Sequence, residues 1–387
     1  MHLHAIDSVL RFLNSDDIFI RTFFNHQLYD CVEKFRGKDE EVDVDAVRSF
    51  LNDGRSTKNF SLPRDNLFNK FRRAIRHWKK VFHRFEVEFD GTGDYGLIVQ
   101  TREGQRCLEL GPLDAKKVYT KLRLALTDFY QFKLKTEYKA MGRVIGNTAI
   151  HKANNEFVRD GGFVSFSAHR WLHRARLDLH SLNGGARSKH KGRDPWCRRC
   201  GYETESLAHV LGHCKFQLGT NVTKRHNALQ NRVVEAIRGQ KRPLGSIAVE
   251  VNKVCDVAGR SLRPDLIVKD ETNHVVTIVD FACPFENGAG AMEKRVEEKR
   301  AKYEPERLAF ERQGYKATCG AIVVGALGTW HPQNDLVIRQ LGIPASYSRK
   351  MIKFILAETL EYSKNIFWRH ILGDRFKPRP YLNIQFS

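Results

Sequence analysis

The sequence predicts a multi-domain α+β protein, and three observations carry that prediction. First, 387 residues exceed what one core usually holds, roughly 250–300 residues, and 41% hydrophobic with 11% aromatic side chains suffice to fill real cores. Second, apolar residues recur at helical spacing through the first part of the chain, whereas β-rich and helical runs alternate in the last third. Third, a short polar stretch between them holds three of the eight cysteines. The expected parts are an α-rich region with a β-hairpin (1–160), a basic region with a small CCHC zinc module (161–245) and a mixed α/β domain (246–387).

Within the first part, residues 65–85 place Leu67, Phe71, Ile75, Trp78, Phe82 and Phe85 at steps of three and four, so one face is apolar and the other basic. Such a helix serves either as a packed surface helix or as one lying on nucleic acid. Residues 86–101 have β-rich flanks around a Gly/Asp turn and predict a hairpin. A second long helix is expected over Leu113–Met141, through Val118, Leu122, Leu126, Phe129 and Leu134. In the last third, 263–270, 274–285 and 315–327 read as strands. Residues 293–313 read as a charged helix, and 346–368 as a closing helix that completes a sheet domain with its own core.

Lys and Arg number 65 against 45 Asp and Glu, a net charge of +20 that calls for a polyanionic partner. The longest stretch without charged side chains, Ala317–Asn334, carries three glycines, His331 and Pro332 and is not apolar enough to span a membrane. The first residues lack the basic, apolar and cleavage regions of a signal peptide, so a soluble intracellular protein without membrane association is expected. Residues 161–245 hold sixteen basic and five acidic side chains, a local excess of +11. A solvated surface ordinarily mixes the signs, so this region is expected to contact nucleic acid, with Arg170, Arg174, Arg176, Arg198 and Arg199 gripping phosphates.

Eight cysteines are too few for a disulfide scaffold of this size, and in a reducing compartment their clustering favours a metal. Cys197 and Cys200 are separated by two residues, His209 follows after eight more and Cys214 after a further four. A Cys-x-x-Cys turn puts two thiolates on one side of a loop, and a short helix with its following turn can bring up the other two ligands. Together they make a closed tetrahedral Zn²⁺ site of structural type. His213, beside Cys214, is an alternative to His209.

Arg263-Pro264-Asp265 opens one predicted strand, and Asp280 ends the next apolar run fifteen positions later. A hairpin turning near residues 270–273 would set the two carboxylates side by side, where they repel unless a divalent cation, Mg²⁺ or Mn²⁺, neutralises them. Such a cation polarises a phosphodiester and activates a water, and a lysine then serves the developing charge. In the PD-(D/E)xK pattern that lysine lies two residues after the second acid, which here is Ala282. Lys294, Lys299 and Lys302 follow on the charged helix, where Lys299, Lys302 and Tyr303 share a face. Lys299 and Lys302 both remain candidates.

The blocks HRWLHRARLDLHSLNG, CRRCGYETESLAHVLGHC, RPDLIV, VDFACPFENG, EKRAKY, GAIVVGALGTW and LGI, over residues 165–345, resemble the C-terminal half of the polyprotein of site-specific non-LTR retrotransposons. That half ends in a zinc knuckle and a restriction-like endonuclease. The first 160 residues resemble, more loosely, its linker after the reverse transcriptase. The resemblance implies a restriction-endonuclease-like fold with structural Zn²⁺ on Cys197, Cys200, His209 and Cys214. It also implies catalytic Mg²⁺ on Asp265 and Asp280, and a catalytic lysine from the helix of Lys299, Lys302 and Tyr303. The implied activity is nicking of double-stranded target DNA in the nucleus, the freed 3′ end priming reverse transcription of element RNA. No Tyr/Phe-x-Asp-Asp polymerase turn occurs; Asp16-Asp17 follows Asn14-Ser15 and lacks the aromatic. The chain is therefore expected not to reverse-transcribe. It is expected to be a fragment with a reverse transcriptase segment upstream, a decayed copy, or a stand-alone derivative. The competing expectations are a catalytically inactive or domesticated nucleic-acid-binding remnant and a basic structural protein with a zinc staple.

Overall fold

Apolar positions at helical spacing build α1 (His2–Leu13), α2 (Ile18–Arg36), α3 (Val44–Leu51) and α4 (Leu67–Lys79) around one core. The computed structural model describes residues 2–36, 41–54, 60–89, 91, 93–101, 107–160, 162–185, 194–240, 247–288 and 290–378. In α4 the Asn66 side chain accepts the Asn69 N–H at 3.1 Å, and Phe68, Phe71, Ile75 and Trp78 are buried. The face predicted over 65–85 is thus a packed one. The helix ends at Lys79, short of Phe85, because the chain turns at Phe82 and Phe85 enters a strand. Both rings join the same core, so the helical spacing persists past the helix itself.

The predicted hairpin is β1 (Arg84–Phe89) against β2 (Tyr95–Gln100), extended by an antiparallel third strand, β3 (Cys107–Leu110). Residues 90 and 92 of its turn lie outside the described residues. The single helix expected over 113–141 is instead a 3₁₀ turn (Pro112–Lys117), α5 (Val118–Thr136) and α6 (Lys139–Thr148). The observed helices serve different cores: Val118, Leu122 and Leu126 of α5 join the first, and Val144 of α6 joins the second.

The chain divides into two units, Met1–Lys133 and Leu134–Ser387, rather than at 160 and 245. The second unit adds α7 (Ala153–Asp160), α8 (Phe166–Arg176), the cysteine-rich segment with α9 (Leu207–Gly212), and α10 (Thr223–Arg238). Then come β4 (Ile247–Val251), β5 (Leu266–Asp270), β6 (Val275–Ala282), α11 (Ala291–Arg312), β7 (Lys316–Val323), α12 (Asn334–Gln340) and α13 (Ala345–Leu372). The sheet order is β4-β5-β6-β7, antiparallel up to β6, while β6 and β7 run parallel through the crossover helix α11. Trp171, Leu207, Val210 and Leu211 share one apolar cluster with Leu266, Val279, Ile322 and Leu360. The cysteine segment is therefore built into the core that covers the sheet, which is why no boundary falls at 245.

One buried base makes this unit pH-sensitive. His180 lies against Phe367 and donates to the Trp171 carbonyl at 3.1 Å, and burial lowers its pKa from 6.5 to about 4. The folded state holds it neutral, so the unfolded chain takes up the proton first. Stability should fall as pH drops below about 6.5 and level off near pH 4, a loss of roughly 3 kcal/mol. Chemical denaturation across this window should show the decline, and His180→Gln should flatten it; an unchanged slope would assign it to other groups.

Candidate metal centres

Pro195-Trp196 leads into the first cluster, whose loop closes through Cys197 N–H on Tyr202 O (2.8 Å) and Gly201 N–H on Cys197 O (3.0 Å). Gly201 sits at φ +70°, where a side chain would be strained, and this lets the Cys-x-x-Cys turn fold back. Ser206 then caps α9, accepting the His209 N–H at 3.2 Å, and the helix ends so that Cys214 N–H reaches His209 O at 2.8 Å. One ligand atom from each of Cys197, Cys200, His209 and Cys214 lies within 4.8 Å of all the others, a cluster that could hold a metal ion. His213 is exposed and outside it, which decides between the two histidines in favour of His209.

Two of the ligand separations lie near the edges of a small tetrahedral site. Cys197 Sγ and Cys214 Sγ are 3.9 Å apart and Cys200 Sγ and His209 Nε2 3.3 Å, against edges of about 3.5–3.8 Å for tetrahedral bonds of ~2.1–2.3 Å. Burial pushes the Cys214 thiol up to about 12, so a metal binding here displaces protons.

Two residues that spacing could not reveal complete the cluster from behind. His370, on α13, places Nε2 3.9 Å from Cys197 Sγ and 2.8 Å from Glu205 Oε1. Glu205 also accepts from Asn183 N–H, Arg198 N–H and the Arg198 guanidinium at 2.8–3.0 Å. Burial alone would raise this carboxyl, but the hydrogen bonds from His370, Arg198 and the backbone hold it well below its usual range. Arg199 donates to the His370 and Ile371 carbonyls at 2.7 and 3.2 Å, closing the end of α13.

The carboxylate pair predicted from the sequence lies where β5 begins. Leu266 pairs with Val279, so the antiparallel register sets Asp265 opposite Asp280. Asp265 Oδ2 accepts the Phe281 N–H at 2.7 Å, and Asp280 is buried between β5 and β7. Lys299, from α11, donates to Asp280 Oδ2. Lys302 instead bonds the Tyr303 hydroxyl at 2.8 Å and stays exposed, so of the two lysines only Lys299 reaches a carboxylate. Tyr303 is fully buried and donates to Arg263 O at 3.1 Å; burial, then the two carboxylates, raise its hydroxyl above the usual range.

A residue the sequence did not single out completes this group. His226, on α10, lies with Nε2 3.2 Å from Asp265 Oδ2 and 3.2 Å from Phe281 O. The carboxylates consequently differ. Burial raises Asp280, and the charge of Asp265 raises it further against the pull of Lys299. Burial also works upward on Asp265, but His226 and the Phe281 N–H outweigh it and the net shift is downward.

The arginines expected on phosphates separate. Arg170 and Arg174 are exposed one turn apart on α8. Arg198 and Arg199 are exposed in part and engaged with Glu205 and α13. Arg176 is a correction: it is buried, its guanidinium bonding Leu327 O, Asn155 Oδ1 and Asn154 O at 2.9–3.2 Å. It faces inward because α8 packs that side against the core. Arg225 is buried likewise, on Ser363, Leu211 O and Cys283 O. Arg187, Lys189, Lys191, Arg193, Lys241 and Arg242 lie outside the described residues.

No helix among the described residues is long and apolar enough to cross a membrane. A family model described as the T26G10.4 domain matches residues 4–179, a stretch that ends before Cys197 and Asp265. The uncharacterized protein T26G10.4 of Caenorhabditis elegans is similar, 24% identical over 181 residues that make up 46% of this chain and 51% of that protein. The chain thus spans about half the length of the relative it matches.

Proposed function

We propose that the second unit is a restriction-like, divalent-metal-dependent DNA endonuclease stapled by a structural zinc, akin to the nuclease half of site-specific non-LTR retrotransposon proteins. The observation that carries this reading is the opposition of Asp265 and Asp280 with Lys299 on the second acid. The order helix, three antiparallel strands, crossover helix, parallel strand also supports it, because it delivers the acids from one hairpin and the lysine from the crossover. Zinc suits the Cys₃His cluster, and four protein ligands leave no position for catalysis.

In this reading Asp265 and Asp280 hold the cation, Mg²⁺ or Mn²⁺, which when bound polarises the phosphodiester and acidifies an attacking water. Lys299, which bonds Asp280 here, would offer its ammonium to the water or the scissile phosphate. His226 and the Phe281 N–H keep Asp265 ionised and oriented. Arg170 and Arg174 grip the backbone of double-stranded DNA in the nucleus, with element RNA as a further partner. A second reading, an inactive nucleic-acid-binding remnant, is favoured by one observation: Lys299 and His226 already engage both carboxylates without a cation.

Nicking of supercoiled plasmid by the full chain with Mg²⁺ or Mn²⁺ separates the two. The nuclease reading expects nicked circles, lost in Asp265→Ala with DNA binding retained. Binding without nicking in any divalent metal leaves only the second reading.

The grip has its own test. Exchanging Arg170 and Arg174 for Ala should flatten the dependence of log K on log salt by about 0.9 for each phosphate no longer neutralised. Arg176→Ala should leave that slope intact and cost the fold about 2–3 kcal/mol through orphaned carbonyls. A slope change in Arg176→Ala alone would reverse the assignment.

A further inference from the structure

Phe163 holds a backbone conformation that bulky side chains rarely adopt, with φ +65° in the left-handed region. The residues after it keep it there. Val164 is buried, and Ser165 caps α8 by accepting the Ala168 N–H at 3.2 Å while its hydroxyl donates to Glu361 on α13. Strain held in place under a half-exposed ring points to function rather than to packing. The ring is 47% exposed, stands edge-on to Phe354 at 5.0 Å, and walls one side of a cavity of about 170 Å³. Ala153 and Phe157 of α7 and Leu356 of α13 line the rest. An apolar cavity of ~150 Å³ accepts a benzene ring, so this one has room for a single six-membered aromatic ring.

The polar part of the lining is an ion pair, Lys353 Nζ to Glu156 Oε1 at 3.1 Å, with both side chains partly exposed. Around it the charge is positive. Lys353 lies over the Phe163 ring, with Nζ 5.7 Å from its centroid. Arg349 and Lys350, one turn earlier on α13, are exposed, as is Arg159 one turn after Glu156 on α7. Phe166 opens α8 with 76% of its surface exposed, and the Arg170 guanidinium stands 5.8 Å from its ring. Exposed rings interleaved with cations form the stacking platforms on which single strands lay their bases. An apolar peptide would fill the cavity but leave these cations without counter-charge, whereas a nucleic-acid strand brings both a ring and phosphates.

We propose that this cavity receives one pyrimidine base of a single-stranded nucleic acid, stacked on Phe163, with Phe166 stacking a neighbouring base. Arg170, Arg349 and Lys350 take the phosphates, while Glu156 offers an acceptor and Lys353 donors to the edge of the base. A paired base inside a duplex is stacked on its neighbours and does not enter. The lining contains neither Asp265 nor Asp280, so the site goes beyond the nuclease reading and an inactive chain would keep it.

The test measures binding of short oligo(dT), oligo(U), an abasic strand of equal length and charge, and a duplex to the full chain. Wild type should bind the pyrimidine strands about tenfold more tightly than the abasic strand, the scale of base–aromatic stacking. Phe163→Gly adopts the same φ without strain, so it should keep the fold and the duplex affinity while losing that advantage. The tighter of oligo(dT) and oligo(U) names DNA or RNA as the source of the base. Equal binding of abasic and pyrimidine strands by wild type overturns the proposal and leaves the cavity to an apolar peptide side chain. A pyrimidine advantage untouched in Phe163→Gly overturns it as well. Strands carrying iodouracil should cross-link to Phe163 or Phe166 of the wild type, a readout independent of how the variant folds. Cross-links found only elsewhere on the chain also overturn it.

Discussion

Asp280→Asn should abolish the proposed nicking, by roughly a thousandfold or more, and leave the protein at least as stable as wild type. A thousandfold is ~4 kcal/mol of transition-state stabilisation, the scale on which a metal-binding carboxylate contributes. The stability half of the prediction follows from burial. Asp280 is 2% exposed, and both its burial and the neighbouring Asp265 disfavour its charge. An isosteric amide removes the repulsion, and the Lys299 side chain it releases is a quarter exposed and can turn to water. Melting temperature and plasmid nicking measured on the same preparation decide it. A variant that nicks normally removes Asp280 from the reaction, and one that loses activity only because it unfolds makes the residue structural.

Removing the metal proposed for the Cys/His cluster should unfold the whole second unit and spare the first. A structural zinc binds with ~10–16 kcal/mol, comparable to or above the ~5–15 kcal/mol that holds a domain together. The cluster is part of the core: Leu207, Val210 and Leu211 share its short helix with His209 and pack in the apolar cluster that covers the sheet. The coupling also runs through α13, where Arg199 closes the helix end, His370 backs Cys197, and Gln217 donates to Ile366 O at 2.8 Å. Chelation, or exchanging Cys197 and Cys200 for Ser, should therefore expose the amides of 345–372 to hydrogen exchange. Residues 2–133 should keep their protection. Loss confined to 194–217 would show the cluster to be a local staple instead.

The Cys/His cluster was legible because a Cys-x-x-Cys turn and a short helix are local devices, complete within eighteen residues. The β5–β6 hairpin was legible for the same reason: strand propensity and a turn over 270–273 determine which acids face each other. The division of the chain was not, because both sides of residue 160 show the same helical spacing and only packing tells which core each helix joins. Nor was the removal of Arg176 from the surface, since the sequence records a charge but not the direction its helix face points.

By itself, then, the sequence determined the local matters: the ligand spacing of the cysteine cluster, the opposed carboxylates, the basic excess and the mixed α/β character of the last third. Tertiary structure alone decided which of two lysines meets Asp280, and that His226 and His370, far along the chain from the groups they serve, stand beside Asp265 and Cys197. The physical reason is range. Turns and registers act between near neighbours in sequence, whereas a side chain's approach to a site depends on how whole helices pack, and no periodicity encodes that.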